Sequence, residues 1–121
     1  MSKEVSSVDY QRSHGVLEQL GRNLNRFMKD YDVVLTATNP APPFKLGEVN
    51  PTFEDPIKNF DKAGWLSSLT AHSNATGNPA MSVPLGKSGN GLPVGTQFIG
   101  RFGDEARAQY VGSGWTPHSF L

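Results

Sequence analysis

Proline and glycine divide this sequence of 121 residues into two unequal parts. Residues 1–38 contain two glycines and no proline, whereas residues 39–121 contain eleven glycines and all nine prolines. Proline cannot donate a backbone hydrogen bond and glycine weakens regular elements, so only the first part can form one long element. The rest of the chain must turn often.

The first part of the chain carries apolar and aromatic side chains at helical spacing. The residues that recur three and four apart are Tyr10, His14, Leu17, Leu20, Leu24, Phe27 and Tyr31. They would form one stripe, so we predict an amphipathic helix over residues 8–30. Ser6 and Asp9 have the spacing of an N-terminal cap. Gly15 and Gly21 each weaken the helix by about 1 kcal/mol relative to Ala, so packing must hold it.

A strand is predicted directly after this helix. Val33, Val34 and Leu35 form a continuous β-prone run that does not alternate between apolar and polar residues. Such a run is typical of a strand that is buried on both faces, in a sheet that helices cover on each side. Residues 39–63 contain five prolines and little periodicity, which predicts a long irregular loop.

The last part of the sequence predicts a short helix, a hairpin and the start of another helix. One helical face would carry Trp65, Leu66, Leu69 and His72, and this helix should end near Gly77. Strands at Ala80–Leu85 and Pro93–Phe102 follow, and the turn-rich connector between them favours an antiparallel hairpin. Gly95 and Gly100 would permit a close backbone approach or a bulge. The segment 103–106 predicts a turn into a helix with acids in its first turn.

Composition excludes several classes of function. Eleven Lys and Arg balance eleven Asp and Glu without a basic cluster, which argues against binding to nucleic acid or to a membrane surface. The absence of cysteine excludes disulfides, thiol catalysis and cysteine-based zinc sites. No apolar run approaches the ~20 residues of a membrane span, and residues 1–10 lack the apolar core of a signal peptide. We therefore expect a cytoplasmic protein that does not span a membrane.

The residues by themselves assemble neither a metal site nor a catalytic set. No two histidines lie within helical reach and the acids of a calcium loop are absent, so no metal and no other cofactor is predicted. The pattern G-x-S-x-G of a nucleophile elbow is missing. Lys62 and Lys87 lie near serines in the sequence, but their spacing forces no hydrogen bond between amine and hydroxyl. His72 is more readily explained by packing on its helix, and no catalytic residue is predicted.

Two sequence blocks resemble the C-terminal end of the amidase signature family. They are Asn74-Ala-Thr-Gly-Asn-Pro-Ala-Met-Ser-Val-Pro-Leu-Gly86 and Gly91-Leu-Pro-Val-Gly-Thr-Gln-Phe-Ile-Gly100, followed by Gly103-Asp-Glu-Ala106. Upstream, residues 31–38 resemble the last long buried strand of the family, and residues 10–31 the helix before it. The resemblance covers residues 8–106 of a single partial domain, residues 1–121, and leaves 107–121 as a divergent tail. Its nearest form is the 6-aminohexanoate cyclic dimer hydrolase type of bacterial amidase.

This resemblance implies an α/β fold with a mixed sheet covered by helices. The chain would be a C-terminal fragment of that fold, with an amphipathic helix, one buried strand, a long loop, a short helix and a β-hairpin. The family hydrolyses amide bonds with a serine nucleophile, a second serine and a lysine, and no position here matches them. The chain alone is therefore expected to be inactive. Its expected partner is the missing N-terminal amidase portion, and the complete enzyme would take a small amide substrate.

One residue is a candidate for substrate binding in the complete enzyme. In the glutamine-amidating branch of the family, an acid seven residues before the motif asparagine contacts the substrate. The asparagine corresponds to Asn74, so that position is Ser67, which matches in location and not in chemistry. An ordinary helix residue is the competing interpretation, and the loop 39–63 is a second candidate wall. The alternative function is a non-catalytic binding or assembly module that uses the hairpin edge or the amphipathic helix.

Overall fold

The computed structural model describes residues 5–49, 61 and 63–114. In chain order the elements are helix α1, Ser7–Phe27, a 3₁₀ turn, Met28–Asp30, strand β1, Val34–Ala37, helix α2, Ala71–Thr76, strand β2, Ala80–Lys87, strand β3, Pro93–Ile99, and helix α3, Glu105–Gly114. The α/β class predicted from the sequence is confirmed, with a small antiparallel sheet and helices packed against it.

Helix α1 begins where the sequence predicts a cap. The hydroxyl of Ser6 accepts a hydrogen bond from the backbone N–H of Asp9 at 3.1 Å. The Asp9 carboxylate in turn accepts from the Ser6 backbone N–H at 3.4 Å and from its hydroxyl at 2.6 Å. This reciprocal capping box satisfies two backbone donors that the first turn of a helix leaves free.

The apolar stripe of α1 is covered only near the end of the helix. Met28 is fully buried and Gly21 packs on α2, where Thr76 Cβ lies 3.5 Å from the position that a Gly21 Cβ would take. Every residue from 5 to 20 is exposed, including Leu17 and Leu20. The helix is therefore confirmed, and it contacts the rest of the described chain through its last turns.

The predicted hairpin is confirmed, and its second strand lies at the centre of the sheet. The strand order is β1-β3-β2, and both pairings are antiparallel. Along β2, Val83 is buried while Ser82 and Pro84 are exposed, and on β3 Phe98 is only 1% exposed. A bulge falls between Pro84 and Gly86, on the strand opposite the glycine where the sequence predicts it.

The prediction that the strand at Val33–Leu35 is buried on both faces is wrong for the described chain. Val34 is half-buried and Leu35 is 57% exposed. Strand β1 lies at an edge of the sheet, where it pairs with β3 on one side only, and α3 packs over β2 and β3. The described residues therefore do not cover the strand that carries this apolar run.

The helix predicted around Trp65 is interrupted. Residues 63–66 are helical, residues 67–70 form a turn, and α2 starts at Ala71. Trp65 is 51% exposed, so the four residues assigned to one face do not share a buried face. The predicted end of the helix is confirmed, because Gly77 caps α2 at a φ of 72° in the left-handed region.

Helix α3 starts at the predicted turn and continues past Gly112 to Gly114. Gly103 turns the chain at a φ of 75°, and Glu105 lies in the first helical turn. Arg107 on α3 contacts both Asp104 and Asp32, which ties this helix to the residues before β1. The tail from residue 115 onward lies outside the described residues.

Candidate functional site

A cleft of about 400 Å³ lies between the segment that follows β1 and the helical turn that precedes α2. Its apolar walls come from Pro43, Phe44, Leu46, Val49 and Leu66. Polar groups reach it from Asn39, Ser67 and Thr70, and Lys45 is the one charged residue among the described residues that line it. An apolar cleft with few polar groups is the usual form of a small-molecule site.

The structure brings together the two features that the sequence singles out as candidate walls. Ser67 lies on one side of the cleft, and residues 39–49 of the predicted loop form the other side. Residues 50–60 and Lys62 lie outside the described residues. Proximity of Ser67 to the loop is thus a finding, whereas its role in binding substrate stays a prediction.

The Ser67 hydroxyl is engaged by its own helical turn. Ser67 Oγ donates to the backbone carbonyls of Ala63, at 3.0 Å, and Gly64, at 3.3 Å. Thr70 Oγ1 donates to the Ser67 carbonyl at 3.0 Å, which completes the turn. These local bonds orient the hydroxyl along the helix, and a serine oxygen that donates its proton can still accept a hydrogen bond from a ligand donor.

A buried glutamine fixes the position of this turn relative to the sheet. Gln97 on the central strand is 3% exposed, and its Nε2 donates to the backbone carbonyl of Leu69 at 3.1 Å. Asn39 closes the cleft from the other side. With its amide oriented so that the nitrogen faces the carbonyls, Asn39 donates to Leu66 and Thr38 at 3.2 Å each.

The segment Asn39–Pro43 separates this cleft from a second one. The second cleft measures about 260 Å³ and lies against Ser88 and the segment Leu92–Gly95 of the hairpin. Because proline fixes φ and so stiffens the backbone, the three prolines between residues 40 and 43 make a rigid wall between the two clefts. From the sequence, these prolines predict only that the segment is part of the irregular loop 39–63.

Two hydroxyl groups cross the central strand at Gly95. Thr38 Oγ1 and Ser82 Oγ lie 2.6 Å apart, one from the end of β1 and one from β2. A Cβ on Gly95 would lie 2.7 Å from both oxygens, so the close approach predicted at this glycine is confirmed. The sequence gives no separate signal for the two hydroxyl partners, because they are 44 residues apart.

A second pair of side chains that sequence reasoning misses joins α1 to the sheet. Asn78 is 4% exposed, and its Nδ2 donates to Asn25 Oδ1 at 3.1 Å and to the Gly100 carbonyl at 3.0 Å. Asn25 Oδ1 also accepts from the backbone N–H of Phe102 at 3.1 Å. The signal available in the sequence is the Asn78-Pro79 step, where an amide follows a helix-capping glycine.

The other candidates from the sequence gather into no further site. His72 is exposed on α2, and Lys87 ends strand β2. Within residues 5–49, 61 and 63–114, no group of three or more His, Cys, Asp and Glu side chains could hold a metal ion. Among the helices of these same residues, none is long and apolar enough to cross a membrane.

The Amidase family model matches residues 1–108 of the sequence. The chain belongs to the amidase family. This amidase chain is 38% identical over 116 residues to the A subunit of the glutamyl-tRNA(Gln) amidotransferase of Treponema denticola, covering 95% of the chain and 22% of that relative. It is 39% identical over 98 residues to the corresponding protein of Brevibacillus brevis, covering 80% of the chain and 18% of that relative.

Solved structures show that the amidase chain has the fold of the corresponding part of these proteins. The amidotransferase protein of the same name from Thermotoga maritima matches with a TM-score of 0.67 and 34% identity, over 82% of the chain and 20% of that protein. A 6-aminohexanoate cyclic dimer hydrolase matches with a TM-score of 0.72 and 22% identity, over 92% of the chain and 25% of the hydrolase. At that identity the likeness shows the fold alone. The chain thus spans about a fifth of the length of the relatives it matches.

Proposed function

We propose that this chain is the C-terminal part of an amidase that hydrolyses carbon–nitrogen bonds of small amides. The observation that carries the proposal is the family match over residues 1–108, in a chain that spans about a fifth of its relatives. The catalytic serines and lysine of the family would then come from the remaining portion, which is the partner of this chain. Residues 107–121 stay a predicted divergent tail.

In the complete enzyme, the chemistry would follow the acyl-enzyme route. The nucleophilic serine oxygen bonds to the amide carbon, the carbon–nitrogen bond breaks, and the amine leaves with a proton. Water then attacks the ester, which releases the acid and restores the serine hydroxyl. This chain would contribute binding surface to that reaction and no reacting atom.

The cleft beside Ser67 is the surface that we assign to substrate. Support comes from its apolar walls at Phe44 and Leu66, which suit an aliphatic chain, and from the backbone-fixed hydroxyl of Ser67. A serine oxygen can accept a hydrogen bond from an amide N–H or an amine of the substrate. The assignment predicts that Ser67→Ala weakens substrate binding more than it slows the chemical step.

A chimera tests the proposal directly. The chain replaces the matching fifth of the Thermotoga maritima amidotransferase protein, and ammonia release from simple primary carboxamides is measured, together with opening of 6-aminohexanoate cyclic dimer. We expect hydrolysis by the chimera and none by the 121-residue chain alone. Turnover by the isolated chain that a serine-directed reagent abolishes would contradict the proposal, as would a folded chimera that hydrolyses no amide.

We place the complete enzyme in the cytoplasm as part of the same proposal. The support is the tRNA-linked reaction named for the 33–39% identical relatives and the balanced charge of the chain. Cell fractionation with an antibody against the chain tests it, and recovery outside the cytoplasmic fraction would contradict it.

A non-catalytic assembly module is the second candidate, and the exposed face of α1 favours it. Val16, Leu20 and Phe27 are each more than 40% exposed, which is costly for a chain that works alone. Sedimentation and urea unfolding of the purified chain distinguish the two functions. A monodisperse monomer that unfolds cooperatively favours an independent module, whereas aggregation that the rest of an amidase rescues favours the first proposal.

A further inference from the structure

We propose that Lys45 determines which substrates the cleft beside Ser67 takes, and that the preferred ones are amides whose aliphatic chain ends in a carboxylate. The inference rests on the proposed function, since it names the substrate class of the same cleft. Three observations carry it: the charge around the cleft, the place of Lys45 in its wall, and the contacts that join the two walls.

The described residues around the cleft carry a single charge, and it is positive. Lys45 lines the cleft, whereas no described Asp or Glu does so. Lys45 also takes part in none of the ion pairs that join the described residues, so none of these pairs neutralises its ammonium group. An ammonium group has three donors and no acceptor, so its complement is an anion. The charge of the described walls therefore favours a carboxylate and disfavours an amine.

A tight turn of the backbone positions Lys45 in the wall of the cleft. The Glu48 N–H donates to the Lys45 carbonyl at 3.1 Å, and Gly47 between them has a φ of 88°. A positive φ at the third residue is what a type II turn requires, and glycine permits it. Leu46, the second residue of the turn, lines the cleft and is fully exposed, and Lys45 is exposed as well. The turn thus places the charge where the cleft opens to solvent.

Two contacts join the loop wall of the cleft to the helical wall. Phe44, directly before Lys45, lies against Trp65 with 6.4 Å between the ring centroids and a tilt of 34°. Asn39, in the amide orientation described above, donates to the Leu66 carbonyl at 3.2 Å. The wall that carries Lys45 is therefore formed before a ligand binds, which lowers the entropy that binding costs.

The arrangement specifies a substrate with three parts. An amide N–H donates to Ser67 Oγ, whose own proton is held by the carbonyls of its helical turn. A methylene chain lies against the apolar side chains of Phe44 and Leu66. A carboxylate at the far end of the chain meets Lys45 in a charge-assisted hydrogen bond. Monoamides of dicarboxylic acids have this form, and their hydrolysis yields the dicarboxylate and ammonia.

Three amides of matched chain length test the inference on the chimera with the Thermotoga maritima protein. Adipamate ends in a carboxylate, hexanamide in a methyl group and 6-aminohexanamide in an ammonium group. We expect kcat/KM for adipamate to exceed that for hexanamide about two- to fivefold, as an exposed ion pair allows, and that for 6-aminohexanamide to be lowest. The preference should shrink at high salt, because ions screen an exposed pair of charges.

Variants of Lys45 connect the preference to this residue. Lys45→Met removes the charge from a side chain of similar length, and should raise KM for adipamate about two- to fivefold without changing kcat. The KM for hexanamide should not rise. Lys45→Glu should favour 6-aminohexanamide over adipamate, and Lys45→Arg should keep the preference for adipamate. Lys29→Met is the matched control, because Lys29 is exposed and does not line the cleft.

The outcomes separate this inference from the proposed function. A chimera that hydrolyses hexanamide and adipamate equally well, or whose preference for adipamate survives Lys45→Met, overturns the inference alone. Binding of adipamate is also measured, by NMR titration of the chimera. Binding that depends on Lys45 without hydrolysis supports the inference and overturns the function. A chimera that neither binds nor hydrolyses any of the three amides overturns both, as does failure to fold both as a chimera and on co-expression with the remaining portion.

Discussion

Substitution of Gly95 by alanine tests the packing at the centre of the sheet. The new Cβ would lie 2.7 Å from the hydroxyl oxygens of Thr38 and Ser82, and 3.1 Å from Thr38 Cβ. The hydroxyls must rotate away, which breaks their 2.6 Å hydrogen bond. Crowding of a packed site costs about 1–3 kcal/mol and the lost bond about 1 kcal/mol. The substitution also offsets about 0.5–1 kcal/mol of this cost, because alanine loses less backbone entropy than glycine when the strand forms.

The expected net result is a loss of about 1–3 kcal/mol in the free energy of unfolding. Urea unfolding of the purified chain, followed by far-UV circular dichroism, measures it. Gly89→Ala is the control, because no atom lies within 4 Å of its Cβ position. In a Ser82→Ala background, Gly95→Ala should cost clearly less, since one of the two crowding oxygens is gone. A Gly95→Ala chain within about 0.5 kcal/mol of the wild type would refute the reasoning.

Three further substitutions probe the core, the buried amide and the cap of α2, each by the same unfolding measurement. Phe98→Ala removes the buried ring and should cost about 3–5 kcal/mol, whereas Leu46→Ala on the surface should stay within about 0.5 kcal/mol; equal effects would contradict the assigned core. Asn78→Asp replaces a two-fold donor by a charge that faces two acceptors and should cost about 3 kcal/mol or more, against little change for the exposed Asn74→Asp. Gly77→Ala forces alanine to a φ of 72° beside the Phe102 ring and should cost about 1–2 kcal/mol, and no loss relative to Gly64→Ala would argue against the left-handed cap.

Local signals in the sequence predict the local elements well. The cap at Ser6, the extent of α1, the hairpin and the left-handed glycine at Gly77 all depend on residues a few positions apart. Their physics is contained in a short window, in the form of a side chain that reaches its own turn or a glycine that relieves a steric clash. The family resemblance also depends on short blocks, and it is confirmed by the match over residues 1–108.

Features that depend on distant residues escape the same reasoning. The run Val33–Leu35 has the composition of a covered strand, but the sequence carries no sign that its cover is missing from the described chain. The turn at residues 67–70 is contacted by Gln97, whose amide donates to the Leu69 carbonyl from 28 residues away in the sequence. The candidate cleft was predictable in part, because Ser67 and the loop were identified separately. Whether Ser67 and the loop lie close together depends on the path of the chain between them, which local signals do not predict.

The order of the strands has a kinetic consequence. The hairpin β2–β3 closes over five residues, whereas pairing of Ala37 with Thr96 joins positions 59 residues apart. A loop about tenfold longer costs about 2 kcal/mol more conformational entropy at closure. We therefore expect the hairpin to form early and β1 to join late, which pulse-labelled hydrogen exchange during refolding would detect as delayed protection of Thr36. In a nascent chain, the apolar strand β1 would thus stay unpaired for longer than β2 and β3, in the interval in which chaperones act.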